Sequence, residues 1–322
     1  DIREARFYLL PAVESMLIRP VCFAGNNLRG QTLMSDLIDH ELSHEDLLKV
    51  MSTIDIPACP SVVTNAMQEA QKDEPDLGRL ADLISNDASM SAAALKLANS
   101  PLYGSSNRIS GVRQAVDRLG TKNIVCVVVS VALRASMNGV PAAWLEKFWQ
   151  RTTMLAIVAS LIAKRQYGIS PDAAYTYALF HDAAIPMMMR RFPNYAEVIE
   201  TARRDGKMLA AVEEAFFPCS HPIIGSLLVR NWGLPPILGQ AIRFHHEPDA
   251  YELPDRTLPG GALAFIAVTQ VAEYLMTELL NDTDIEVGHE LFEKAQDYLG
   301  ISESDLDDLR QRVAAAIEGQ AH

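Results

Sequence analysis

One run in this sequence has the make-up of a β-strand, and nothing in the chain can pair with it. Residues 124–133, IVCVVVSVAL, are apolar and rich in β-branched side chains, the composition of a buried strand. A strand needs a neighbour to take its backbone hydrogen bonds, and no second stretch of comparable quality exists. The run is therefore read as a buried helix, and the chain as an all-α, multi-helix bundle.

The remaining sequence is patterned at helical spacing. Ser43 with Asp46 forms an approximate capping box ahead of Leu47, Leu48, Met51 and Ile54. A rigid turn, Ile56-Pro57-Ala58-Cys59-Pro60-Ser61, comes next. Four apolar stripes follow. They are Val63, Ala66, Met67, Ala70; Leu77, Leu80, Ala81, Ile84; Met90, Ala93, Ala94, Leu97; and Val112, Ala115, Val116, Leu119. Gly120 closes the last as a C-terminal cap. Beyond Pro141, residues 148–166 carry Leu155, Val158, Leu161 and Ile162 on one side. Ser220 is placed to cap a helix bearing Ile224, Leu227 and Leu228. The tail holds further helices around 263–280 and 291–299, and after Ser302 with Leu306, Leu309 and Val313. The predicted division is a helical extension over 1–45, a main domain over 46–255 in two halves (46–140 and 141–255), and C-terminal helices over 256–322. Within the extension, the weak spacing of Ile2, Ala5, Leu9 and Val13 is broken by Pro11 and Pro20, and no chemistry is assigned to it.

With 322 residues, 49% of them hydrophobic, the chain can bury a large core. A net charge of −13, with no Lys/Arg run beyond pairs such as Arg203–Arg204, argues against direct nucleic-acid binding. The four cysteines, Cys22, Cys59, Cys126 and Cys219, are widely spaced, as free thiols in a reducing compartment would be. No stretch reaches the ~18 uninterrupted apolar residues of a membrane span, and no secretory signal pattern opens the chain. The chain begins at Asp1 rather than Met, as after trimming. A soluble cytoplasmic protein without a membrane partner is expected.

Chemistry concentrates on the stretch AYTYALFHDAAIPMMM, residues 174–189. Ser170 and Pro171 make a good helix start. Ala174, Tyr177, Ala178 and His181 then fall at i, i+3, i+4 and i+7, which turns His181 inward. Asp182 is adjacent, and Pro186 is expected to end or kink the element. An imidazole and a carboxylate at a helix end are what a metallohydrolase uses to hold a metal and its water; the pair could equally be a packed core histidine beside a capping aspartate. Leu238, Ala241, Ile242 and His245 repeat the spacing, with His246 following. His221 opens the helix after Ser220. Together, His181, Asp182, His221, His245 and His246 place five metal-ligating side chains on three helices, although His221 could serve only as a helix-start residue and His246 could be exposed.

The order of motifs resembles the HDOD domain, the HD-related output domain of bacterial signalling proteins. In the first half the resemblance rests on 56–61, Ser85-Asn86-Asp87-Ala88-Ser89, the loop Leu97-Ala98-Asn99-Ser100-Pro101-Leu102-Tyr103-Gly104, and 109–120. Within that loop Asn99, Ser100, Pro101, Tyr103 and Gly104 carry the family signature. In the second half it rests on Phe148-Trp149, Leu179-Phe180-His181-Asp182, Cys219-Ser220-His221-Pro222, Trp232-Gly233-Leu234-Pro235 and Ile242-Arg243-Phe244-His245-His246. It covers about 47–248.

The resemblance implies a regulatory relative of HD phosphohydrolases with a decayed metal site. It implies signalling proteins as partners, no required cofactor, and room for a homodimer. In active HD enzymes a histidine ligand stands near the position of Arg151 or Thr152, and an aspartate stands where this chain has Glu273. Ala183-Ala184 replaces the usual Ile-Gly, and residues 249–254 lack the Gly-Tyr-Pro of cyclic-di-GMP phosphodiesterases. If Arg151 lay about 4 Å from an imidazolium it would be repelled by about 4 kcal/mol at a dielectric near 20. A bidentate salt bridge to Asp182 is therefore expected, or else an anionic ligand facing Arg151. The alternatives to a non-catalytic module are an HD-type phosphohydrolase using iron, manganese, zinc or magnesium at these side chains, and a nucleotide-sensing pocket without turnover.

Overall fold

The computed structural model describes residues 54–100, 103, 107–137, 139–280 and 287–320. The expected extension over 1–45 and the Ser43–Asp46 capping box lie outside these residues. Among the described residues every regular element is a helix, as the unpaired 124–133 run requires.

Three short helices, α1 (Ser61–Ala70), α2 (Leu77–Ser85) and α3 (Ala88–Ala98), pack on the long α4 (Val112–Ser136). Asp76 and Asp87 cap α2 and α3 by accepting the N–H groups of Arg79 and Met90. Gly120 is the predicted stop in modified form. At φ +72° and ψ 173° it ends one helix, and a second starts at once, so the two run on as one kinked element. The β-branched run occupies the second segment. Each such residue costs up to about 0.7 kcal/mol against Ala in a helix, but Ile124, Val127, Val128 and Val129 are almost wholly buried. Burial at roughly 1.5–3 kcal/mol per side chain overrides that preference.

The second half is built on α5 (Ala142–Ala163), which packs against α6 (Pro171–Phe180) and α12 (Gly260–Leu280). Between α6 and α12 the chain runs through α7 (Ile185–Arg191), α8 (Tyr195–Asp205), α9 (Leu209–Phe216), α10 (His221–Asn231) and α11 (Pro236–Phe244). α13 (His289–Leu299) and α14 (Glu303–Gln320) close the chain against α12 and α5. Both α4 and α12 have the length and apolar composition of a membrane span. Here they are core helices, α12 carrying buried residues from Ala262 to Met276.

An entry strap joins the halves. The Trp232 indole donates to the Pro57 carbonyl (2.9 Å), as does Asn231 (3.3 Å), and Arg190 donates to the Asp55 carbonyl (2.8 Å). Close packing continues where α10 meets α11. A methyl group on Gly225 would lie 2.9 Å from Ile242 Cγ2 and 3.8 Å from Ala184 Cβ.

Two local expectations differ from what forms. Ser170 caps α6 and Pro171 is its first residue, as expected, but α6 ends at Phe180 with His181 as its C-cap. Pro186 neither ends nor kinks that helix; it sits in the first turn of α7, where its missing N–H has no helical partner to lose. Ser220 precedes α10 without capping it. Its hydroxyl donates to Glu214 (3.2 Å), and the N–H of His221, the first helical residue, donates to Glu213 Oε2 (2.7 Å).

Candidate metal centre

Four helix segments converge in the second half. The C-terminal end of α6 supplies His181 and Asp182, the first residue of α10 supplies His221, the end of α11 supplies His245 and His246, and the middle of α12 supplies Glu273. All six are buried, His246 being the most exposed at 7%. His246 thus joins the interior, and of the two readings of it the exposed ring is not the one that forms.

The hydrogen bonds on the outer ring nitrogens decide what the inner ones can do. His181 Nδ1 donates to the Ala178 carbonyl (2.7 Å), and His245 Nδ1 donates to the Ile242 carbonyl (2.7 Å). His221 Nδ1 lies 2.8 Å from Glu213 Oε2. A carbonyl or carboxylate oxygen can only accept, so each Nδ1 carries a proton, and each ring turns its Nε2 inward, where it offers a lone pair once the ring is neutral. The two carbonyls belong to the last turns of α6 and α11, where the helix itself leaves them unpaired.

Around the centre these atoms crowd one another, and one pair, His221 and His246, is hydrogen-bonded. Asp182 Oδ1 is 3.4 Å from His221 Nε2 and 3.3 Å from His245 Nε2. His246 Nε2 is 3.2 Å from His221 Nε2. His181 Nε2 is 3.0 Å from Asp182 Oδ2 and 3.5 Å from Glu273 Oε1. Yet His181 Nε2, His245 Nε2, Asp182 Oδ1 and Glu273 Oε1 are buried without an aligned hydrogen-bond partner. Two ligands about 2.1 Å from one cation and separated by 90–110° stand roughly 3.0–3.4 Å apart. Close, misaligned acceptors at that spacing fit a shared divalent ion better than they fit each other. The donors fall into two sets that share Asp182: Asp182, His221, His245 and His246, and His181, Asp182 and Glu273.

The electrostatics show the same demand for positive charge. Burial disfavours protonation of His181, but the Asp182 and Glu273 carboxylates overcome it and push the ring up to about 10. His221 is likewise raised well above its ordinary value, burial being outweighed by Glu213 and Asp182. Burial and the neighbouring rings hold His245 and His246 low. Asp182 is pulled well below the usual carboxylate range, the imidazoles outweighing its burial. Protons on two rings do part of the work a cation would do.

Arg151 sits differently from expectation. Its guanidinium reaches Glu273 Oε1 (3.6 Å) at the half-open edge of the site, whereas the ion-pair partners of Asp182 are His181, His221 and His245. The physical reason is position: Glu273 on α12 faces α5, and Asp182 is enclosed by the three rings. The signature loop lies away from the centre. Asn99 pins it, donating to the Ile109 carbonyl and accepting from the Ile109 N–H (both 2.9 Å), and Ser100 is buried. Tyr103 donates to Asp172 in the first turn of α6 (3.4 Å). Pro101 and Gly104 lie outside the described residues.

Sequence reasoning missed the support of the centre. Glu213, fully buried, accepts the His221 backbone N–H, the His221 ring and the Tyr195 hydroxyl. Gln270 donates to the His245 carbonyl (3.0 Å) and is itself held by the Tyr251 hydroxyl (2.6 Å). One signal was available: Leu209, Val212 and Glu213 fall at i, i+3 and i+4, placing a carboxylate on a buried stripe.

The HDOD domain model matches residues 56–248, more than half of the chain. The chain belongs to the HDOD family. Among solved structures, this HDOD protein is similar to an HDOD domain protein of unknown function from Geobacter sulfurreducens. The two are 23% identical with a TM-score of 0.65, over 86% of this chain and 95% of the other. A candidate phosphohydrolase from Shewanella amazonensis SB2B is 24% identical with a TM-score of 0.64, covering 86% and 96%. These likenesses show the shared fold. An uncharacterized Treponema pallidum protein is 24% identical over 205 residues, and the match spans 62% of this chain and 40% of that relative's length.

Proposed function

We propose that this protein is a regulatory HDOD module that acts through contacts with other signalling proteins, and that its HD-type centre holds a divalent cation as a structural pin instead of turning over a phosphoester. The donor set supports the cation: three rings with Nε2 turned inward, two carboxylates, and orphaned polar atoms at ligand spacing. Asp182, His221, His245 and His246 would hold it, with Glu213 and the helix-end carbonyls orienting the rings. A divalent ion bound there would supply Lewis acidity to an oxygen ligand, were one able to reach it.

The observation that carries the regulatory reading is enclosure. Every candidate ligand is at most 7% exposed. Catalytic metal sites keep a position open to substrate, while structural sites are closed on all sides by protein. The second reading, a metal-dependent phosphohydrolase, is favoured by the survival of a six-residue donor set. One experiment separates them. The full chain, purified without a metal-affinity tag and equilibrated in turn with zinc, iron(II), manganese and magnesium, is desalted, assayed for retained metal, and tested on bis-p-nitrophenyl phosphate and cyclic dinucleotides. Retained metal without turnover is expected. Turnover that disappears in Asp182→Asn would establish the hydrolase, and no retained metal of any kind would refute the pin.

A further inference from the structure

We propose that Arg151 fills the second cation position of this centre with its own charge, so that the protein holds one divalent ion, of the zinc or iron(II) type, on the histidine-rich side. The inference rests on the metal-binding reading above and adds its number, place and class.

Two donor sets share Asp182, and by donors alone each can hold an ion. One offers His221, His245, His246 and Asp182, three nitrogens and one carboxylate. The other offers His181, Asp182 and Glu273, one nitrogen and two carboxylates. Their surroundings differ in one respect. Arg151 Nη1 stands 3.6 Å from Glu273 Oε1, the same oxygen that approaches His181 Nε2 to 3.5 Å. A guanidinium cannot shed its proton to make way for a metal, as a histidine or a buried lysine can. An ion on the His181–Glu273 side would therefore face a permanent cation at close range in a buried setting. On the other side, Asp182 Oδ1 faces the His221 and His245 rings, and an imidazole gives up its inward proton when metal binds.

Chemistry then selects the ion. Three imidazoles and one carboxylate suit zinc, iron(II), cobalt or nickel, while magnesium and calcium take oxygen-rich sites. The set that Arg151 closes is the oxygen-rich one, so the residue decides metal class as well as number.

The test counts metal per chain in full-length protein after gel filtration, with zinc and with manganese, for wild type, Arg151→Gln, Arg151→Lys and Glu273→Gln. Thermal denaturation confirms that each variant is folded. Wild type is expected to keep one zinc and no manganese, Arg151→Gln two ions with manganese now retained, and Arg151→Lys one. Glu273→Gln is expected to shift the zinc affinity of the first site by less than threefold, against tenfold or more for His221→Ala. Two ions in wild type, or one ion in both wild type and Arg151→Gln, overturns the role of Arg151 while leaving the metal reading intact. Loss of the wild-type zinc in Glu273→Gln overturns its placement. No metal in wild type overturns both.

Discussion

Replacing Glu213 with Gln keeps the shape of the side chain and removes its charge, in a position with no access to water. Three donors meet this carboxylate. The His221 N–H and Nδ1–H both reach Oε2, at 2.7 and 2.8 Å, and the Tyr195 hydroxyl reaches Oε1. Gln can aim its carbonyl at His221 and its amide at Tyr195, whose oxygen can accept. The loss is then the charge assistance of two bonds, about 1 kcal/mol each, or about 2 kcal/mol in all. Glu213→Ala is different in kind, since it takes the acceptor away from three buried donors at once, at roughly 1–3 kcal/mol each, about 5 kcal/mol together. At roughly 2–4 °C per kcal/mol for a domain of this size, Tm should fall by about 4–8 °C in the Gln variant and more than twice that in the Ala variant. Metal affinity in the Gln variant, read by competition with a chelator, should weaken about 10- to 100-fold because a neutral amide no longer raises the basicity of His221 as a carboxylate does. Equal Tm values for wild type and Glu213→Gln, with unchanged affinity, would refute the claim that this carboxylate organises the centre.

Further outcomes follow from other residues. In chelator-treated protein, His181 titrates near 10 when folded and near 6.5 when unfolded, so its contribution to stability is complete below about pH 6.5 and is lost as pH rises through about 10; His221 acts in the same direction. Urea denaturation of the metal-free protein between pH 7 and 10 should therefore show falling stability, and a rise across that range would contradict the assigned ring environments. Gly225→Ala sets a methyl 2.9 Å from the Cγ2 of a stiff, β-branched Ile242 and should destabilise by about 1–3 kcal/mol, with weakened metal retention as α10 and α11 separate. An unchanged Tm would show that the two helices can part freely. Trp232→Phe removes the donor to Pro57 and leaves that carbonyl with Asn231, costing about 1 kcal/mol. Limited proteolysis should then cut earlier around residues 54–60, and unaltered cleavage would mean that the strap is held elsewhere.

What could be read from the residues alone was what local periodicity controls. Ala174, Tyr177 and Ala178 turned His181 inward, and Leu238, Ala241 and Ile242 did the same for His245; all of these positions are buried. The helical fate of 124–133 followed from the lack of a partner strand. Contacts set by the meeting of distant helices were not legible. Glu213 reaches His221 from the preceding helix, Gln270 reaches His245 from α12, and Arg151 pairs with Glu273 across the α5–α12 contact. Ser220 failed as a cap for the same reason, since its hydroxyl is drawn to Glu214 on the preceding helix, and Pro222 leaves the second helical position without an N–H to offer.

His181 and His245 each hold a carbonyl of their own helix with one nitrogen and face the centre with the other. Fraying of the last turn of α6 or α11 therefore swings a candidate ligand away, and a cation held as proposed would close the same turn. Occupancy and helix-end order become one equilibrium, so amide protons near residues 181–184 and 245–247 should exchange with solvent at a rate set by free metal concentration. A partner docked over the α11 end, where Pro248 and Asp249 are exposed, would then feel the metal status of the cell through the firmness of a single turn.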